Sequence, residues 1–212
     1  MASLPGLIWA LIVAMTLCDF AKAQRRISSR VACNPTRSTI YDQRHYFTKL
    51  SDRSRVSLSR YRGSTWQYPL LNALHDLDGV TVLGFPCNQF GLQEPGHNSE
   101  ILPILEHVRP GRGYVPNFPL FEKLEVNGDS AHPLFKYMKG QCEVITSAFP
   151  SRSRLFYDPI TPFDIEWNFH KFLVDHEGKV VRRYHHNVSP TSYTIRKDIR
   201  DLLRRRATAR NL

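Results

Sequence analysis

Two short stretches of the chain hold the residues best suited to chemistry. "GFPCNQFG" (84–91) places Asn88 and Gln89 directly after an apolar run, and "EWNF" (166–169) places the Trp167 indole beside the amide of Asn168. All four are neutral hydrogen-bonding groups. Neutral donors suit the stabilisation of an anion such as a thiolate, or of the oxygen leaving a peroxide. Taken alone, aromatic and Asn residues at strand ends mostly serve packing and turns. Cys87 stands among these amides, but a cysteine closing a strongly apolar strand is usually buried and inert. Four histidines, His170, His176, His185 and His186, gather farther on. Their spacing matches no ligand pattern and no acidic residue pairs with them convincingly, so they read as solvated hairpin positions and not as a metal site.

An α/β frame would position these groups. Residues 38–63 alternate short β-branched and aromatic pieces with polar turns, as an amino-terminal hairpin does. Leu70, Leu71, Leu74 and Leu77 recur at helical spacing, and Asp78-Gly79 stops that helix. "VTVLGF" (80–85) reads as a strand buried in a parallel sheet, whose carboxyl edge is where such proteins bind ligands. A second short helix starts near Asn98, and "RPGRGYVPNF" is a punctuated loop. "LFEKLEVNG" reads as a strand ending in an Asn-Gly turn, and "HPLFKYMKG" as a short helix. Residues 140–164 form a long aperiodic connection, and "WNFHKFLVDHEGKVVRRYH" gives two strands joined by "DHEG". A basic helix closes one α/β domain spanning 24–212.

Composition narrows the class. With 212 residues, 42% apolar and 23% charged, the chain has the makeup of one globular domain, which excludes global disorder. Residues 1–23 read as a signal peptide: the apolar run Leu4 to Cys18 is followed by "AKA" (21–23), which predicts cleavage after Ala23 and secretion. No Lys or Arg precedes the run, so an uncleaved anchor is the alternative. Cleavage leaves Cys33, Cys87 and Cys142, which allow one internal disulfide in any of three pairings. Because Cys87 follows the apolar strand, Cys33–Cys142 is the favoured pair. The net charge of +10 concentrates near residue 25, at 150–156 and in the last helix. Solvated surface is the plainer reading; attraction to a polyanionic matrix or an anionic substrate is the sharper one. A leader for export and no basic-aromatic motif exclude nucleic acid.

In combination, "LGFPCNQFGLQEPGHNSEIL", "HVRPGRGYVPNFPLFEKLEVNG", "HPLFKYMK" and "IEWNFHKFLVDHEGKVVRRY" resemble the animal glutathione peroxidases from about Thr39 to the last helix. The leader and "VRPGxGYxPNF" are most similar to the secreted, tetramer-forming branch. The resemblance implies a thioredoxin-like fold with an amino-terminal β-hairpin, no bound cofactor, and peroxide and thiol substrates. It implies a site of selenocysteine or cysteine with Gln89, Trp167 and Asn168. The selenolate or thiolate attacks the peroxide, becomes a selenenic or sulfenic acid, and is returned by two thiols, usually glutathione. Trp167 and Asn168 can share that site only where the strand begins, since consecutive strand residues point to opposite faces. Arg109, Arg182 and Arg183 match positions that attract the anionic thiol. His185, His186 and Asn187 stand where relatives often carry more arginine, which makes thioredoxin-type donors a rival to glutathione.

One part of the pattern is missing. Family members read "YRGK", an apolar strand, the selenocysteine or cysteine turn, and then the helix; here "SLSRYRG" (57–63) runs directly into "STWQYPLLNAL". About a dozen residues are absent, one typical strand of ~5–6 residues plus the catalytic turn. The peroxidatic residue is therefore absent and expected near Gly63/Ser64. Losing a central strand opens the core, and no spare apolar run lies between Gln24 and Tyr68 to replace it. Selenocysteine is encoded by a codon ordinarily read as stop, and a gene model that splices around it would produce this gap. The reading is a secreted enzyme for thiol-dependent reduction of hydrogen peroxide and organic hydroperoxides. Its rival is an inactive binding or matrix protein on a dead peroxidase frame.

Overall fold

The computed structural model describes the backbone of residues 9–15 and, beyond it, residues 29–34, 66–146 and 148–210. The hairpin expected over 38–63, and Gly63 and Ser64, lie outside the described residues. Among the described residues, five strands form one sheet: β1 (Trp9–Met15), β2 (Arg30–Ala32), β3 (Val80–Pro86), β4 (His170–Val174) and β5 (Val180–Tyr184), in the spatial order β2-β5-β4-β1-β3. Helices α1 (Gln67–His75), α2 (Asn98–His107), α3 (Pro133–Gly140) and α4 (Tyr193–Arg210) pack around it.

The pleat sorts the core into two clusters. Alternate residues face opposite sides of a strand, so Phe172 and Val174 of β4 join Phe85, Phe135 and Met138 on one side. Leu173 joins Val80, Val82, Leu71, Leu74, Ile195 and Ile199 on the other. All five β4 residues are buried, as expected of a strand covered on both faces.

β1 takes the central place between β3 and β4. It runs parallel to β3, from Trp9 beside Val80 to Met15 beside Pro86, and antiparallel to β4, from Ala10 beside Val174 to Ala14 beside His170. The strand comes from the apolar run near the amino terminus, ahead of the interval searched in the sequence.

The strand expected at "LFEKLEVNG" does not form. Leu120 makes an isolated bridge to Gly84, Phe121 N–H donates to Gly84 O at 2.9 Å, and Leu124 N–H to Pro86 O at 3.0 Å. The N–H groups of Val126 and Asn127 then turn to the Gln89 side chain, each at 3.0 Å. A side-chain amide takes the donors that a ladder would need. Helix α1 ends at His75, short of the expected Asp78-Gly79 stop, where Asp76 N–H closes onto Asn72 O.

Candidate active-site wall and histidine cluster

The loop after β3 and the turn before β4 meet at one end of the sheet. Phe90 bridges to Leu155, and its ring lies 5.8 Å from the Trp167 ring. Trp167 and Asn168 precede the strand, in a turn closed by Phe169 at φ 59°. That left-handed backbone is uncommon for a bulky residue, and it lets two consecutive side chains escape the strict alternation of β4.

Gln89 is 3% exposed and bound on every side that counts. Its Oε1 accepts from Val126 and Asn127 N–H at 3.0 Å each and from Cys87 Sγ at 3.5 Å, while Nε2 donates to Asn127 O at 2.9 Å. Asn127 completes a second clasp: its amide donates to Ile165 O, accepts from Ile165 N–H, and accepts from Lys139 Nζ at 2.9 Å. Lys139 also meets Asp164 at 2.8 Å. Asn168 Nδ2 donates to Gln93 Oε1 at 2.9 Å, and its buried Oδ1 has no hydrogen-bond partner. Trp167 stacks under the Arg154 guanidinium, 5.1 Å from the ring centre. The structure thus places Gln89, Trp167 and Asn168 on two adjoining loops, with Gln89 and Asn168 each bonded to a neighbour in the 88–127 region.

Asn127 and Gln93 were not singled out in the sequence. "VNG" was read as a turn only, and nothing in its spacing announces a lysine and a glutamine closing on it.

Cys87 is fully buried, and burial pushes its thiol up to about 12, only partly offset by hydrogen bonds around Gln89 and Val126. It is no ready nucleophile. Cys33 and Cys142 form a disulfide that ties the start of the chain to the end of α3.

The arginines expected to attract an anionic thiol are differently placed. Arg109 is 7% exposed and donates to Gln93 O at 3.2 Å. Arg183 is fully buried, its guanidinium donating to His170 Nε2 at 2.7 Å and to the carbonyls of Phe163 and Asp164. A side chain enclosed this way offers no face to a soluble anion, so that reading is corrected for Arg183. Arg182 is half-buried and bonds the Val181 carbonyl.

The histidines also depart from the expectation of a solvated hairpin. His176 is exposed, but His170 and His185 are buried and His186 is half-buried. They do have an acidic partner, Glu166, itself 1% exposed. His170 Nδ1 lies 2.9 Å from Glu166 Oε2, while His186 Nδ1 and His185 Nε2 lie 3.1 and 3.4 Å from Oε1. Burial alone would raise the Glu166 carboxyl; the rings of His170 and His186 outweigh it and hold the group well below the usual carboxylate range. Burial pulls His170 and His185 down to about 4. Glu166 stands inside "EWNF" itself, and the hairpin register, which pairs Lys171 with Tyr184, was the signal that could have found the cluster by setting His170 near residue 185.

With this geometry in place, the comparisons with known proteins are specific. The family model for glutathione peroxidase matches residues 47–139. Glutathione peroxidase 3 of Hylobates lar is 46% identical over 155 residues, covering 72% of this chain and 68% of that protein. Glutathione peroxidase 6 of Mus musculus is 48% identical over 156 residues, covering 72% of this chain and 70% of that protein. The epididymal secretory glutathione peroxidase of Canis lupus familiaris is 50% identical over 147 residues, covering 68% and 66%. This chain belongs to the glutathione peroxidase family.

Proposed function

We propose that the protein is a secreted peroxidase that reduces hydrogen peroxide and organic hydroperoxides with two thiols, its peroxidatic residue lying in a segment that the sequence omits near Gly63/Ser64. The observation that carries this reading is the loop wall of Gln89, Trp167 and Asn168, kept together with its supporting clasp at the carboxyl end of β3. The balanced reaction is ROOH + 2 RSH → ROH + H2O + RSSR. A selenolate or thiolate attacks the O–O bond and the alkoxide leaves with a proton. The first thiol displaces water from the resulting selenenic or sulfenic acid, and the second releases the disulfide. Glutathione is the reductant in the relatives' name; thioredoxin-type donors are the rival here, because two of the three expected arginines are buried. Secretion, a tetramer and contact with a polyanionic matrix belong to the same reading. The name of the epididymal secretory relative supports export.

A second reading has its own observation. Cys87 is the one free cysteine among the described residues, and its buried thiol cannot take the first step. A chain in which Gly63 truly adjoins Ser64 would be an inactive binding protein on a peroxidase frame. Sequencing the messenger across the codons for Tyr61 to Trp66 separates the two. An in-frame UGA or Cys codon within an apolar strand is expected, and restoring that segment should give thiol-dependent peroxide consumption. A transcript joining "YRG" directly to "STW" would sink the peroxidase reading.

A further inference from the structure

We propose that Glu166, His185 and His186 form a binding site for a zinc-type divalent ion, with His170 orienting the carboxylate. Nothing in this inference depends on the peroxidase chemistry. One ligand atom from each of the three residues falls within 4.8 Å of the others. Two ligands each ~2.0–2.1 Å from a tetrahedral ion lie about 3.3–3.5 Å apart. Glu166 Oε1 is 3.1 Å from His186 Nδ1 and 3.4 Å from His185 Nε2, so small side-chain adjustments suffice. The rings of His185 and His186 have their centres 4.0 Å apart, with 34° between their planes.

The surroundings match what metal sites require beyond the ligands. Metal ligands are usually held by outer partners. Here His170 Nε2 accepts from Arg183, which leaves its proton on Nδ1, 2.9 Å from Glu166 Oε2. Neither atom has another hydrogen-bond partner, so this contact is what holds the carboxylate. Glu166 and His170 are enclosed, while His186 keeps 24% of its side chain exposed and provides the way in. A water completes the fourth position.

Two features set which ion fits. Lys171 and Arg183 are buried nearby and repel any cation held by charge alone. Lys171 Nζ binds the His186 carbonyl at 3.2 Å. Imidazole nitrogens suit zinc, copper and nickel, whereas magnesium and calcium prefer oxygen ligands. His185 must also change tautomer: Asn187 N–H approaches its Nδ1 at 3.3 Å, so the free ring carries its proton on Nε2. Binding through Nε2 moves that proton to Nδ1 and gives up the Asn187 contact, which is long.

The test uses the full chain, stripped with a chelator and titrated with Zn2+ by calorimetry. Saturable one-to-one binding is expected, weakened at least tenfold by His185→Ala or His186→Ala and unchanged by His176→Ala, with no response to Mg2+. His186→Asn, at the half-exposed position, guards against loss of folding and should weaken binding to the same degree. The unaltered protein loaded with Co2+ should show the intense visible bands of a four-coordinate ion. No saturable Zn2+ binding, one-to-one binding that survives His185→Ala/His186→Ala, or a weak octahedral Co2+ spectrum would each overturn the proposal.

Discussion

The amide wall and the histidine cluster stand at the same end of the sheet, yet their polar atoms are used in opposite ways. On the wall, Gln89 and Asn127 are committed to backbone groups: Gln89 alone holds two N–H donors and one carbonyl of the 126–127 turn. In the cluster, one carboxylate is contacted by three imidazoles from two chain segments, and the groups hold one another. The wall is therefore architecture whether or not chemistry occurs beside it. In the cluster the backbone contacts are few and long, Asn187 N–H to His185 Nδ1 at 3.3 Å and His186 N–H to Glu166 Oε1 at 3.5 Å, which is the condition under which a ligand can be accommodated.

Both regions hang on β3 and β4, whose shared neighbour is β1. Removing β1 is the largest perturbation available. A central strand contributes two ladders of backbone hydrogen bonds, and total stability is only ~5–15 kcal/mol. A chain beginning at Gln24 is expected to lose cooperative thermal unfolding, followed by circular dichroism, while the full chain keeps it. Cleavage after Ala23 and a strand at Trp9–Met15 exclude each other in one molecule. Amino-terminal sequencing of the mature protein therefore decides which is used. A Gln24 chain that unfolds cooperatively would show that another segment fills the slot.

The next perturbation compares the two regions directly, in chelator so that no ion contributes. Glu166→Ala removes the carboxylate that offsets burial at Lys171, whose amine burial has already pulled down to about 7. Removing a buried carboxylate that three imidazoles contact is expected to cost about 3–5 kcal/mol, as when one member of a buried charge pair is removed. Gln89→Ala orphans two buried N–H groups, at roughly 1–3 kcal/mol each. The two losses, about 3–5 and about 2–6 kcal/mol, overlap, so urea unfolding should show both variants clearly less stable than the parent. Zn2+ should then stabilise the Gln89→Ala protein and not the Glu166→Ala protein. A Gln89→Ala variant as stable as the parent would break the claim that the wall is architectural.

Much of this was legible in the sequence, for identifiable reasons. α1, α2, α3, β3 and the β4–β5 hairpin carry strong periodicity or turn signals, and the structure places them within a few residues of expectation. "LFEKLEVNG" misled because its alternation is that of a strand, while the competitor for its N–H groups, Gln89, lies 37 residues earlier. β1 was hidden for a different reason. An apolar heptad looks the same in a leader and in a central strand, and its partners at 80–86 and 170–174 are remote. The hairpin register could have set His170 near residue 185, but the left-handed turn at Phe169 that brings Glu166 to the histidines is not displayed by residue spacing.

The smallest expected effect concerns Glu94, on the loop that joins the wall to α2. Glu94 is 2% exposed and its Oε1 has no hydrogen-bond partner. Burial raises the carboxyl to about 7, with Arg109 and Lys123 opposing. In the unfolded chain the group titrates near 4.5. Between those two values the folded state holds more protons than the unfolded state, so stability falls as pH rises through the window and levels off above it. At 1.36 kcal/mol per pKa unit the loss reaches about 3 kcal/mol. Glu94→Gln removes the titration. Its advantage over the parent should grow from nothing near pH 4.5 to about 3 kcal/mol near pH 8, read as the difference in urea midpoints. An advantage that does not change with pH would mean that Glu94 stays ionised in the folded protein and that Arg109 and Lys123, not burial, set its charge.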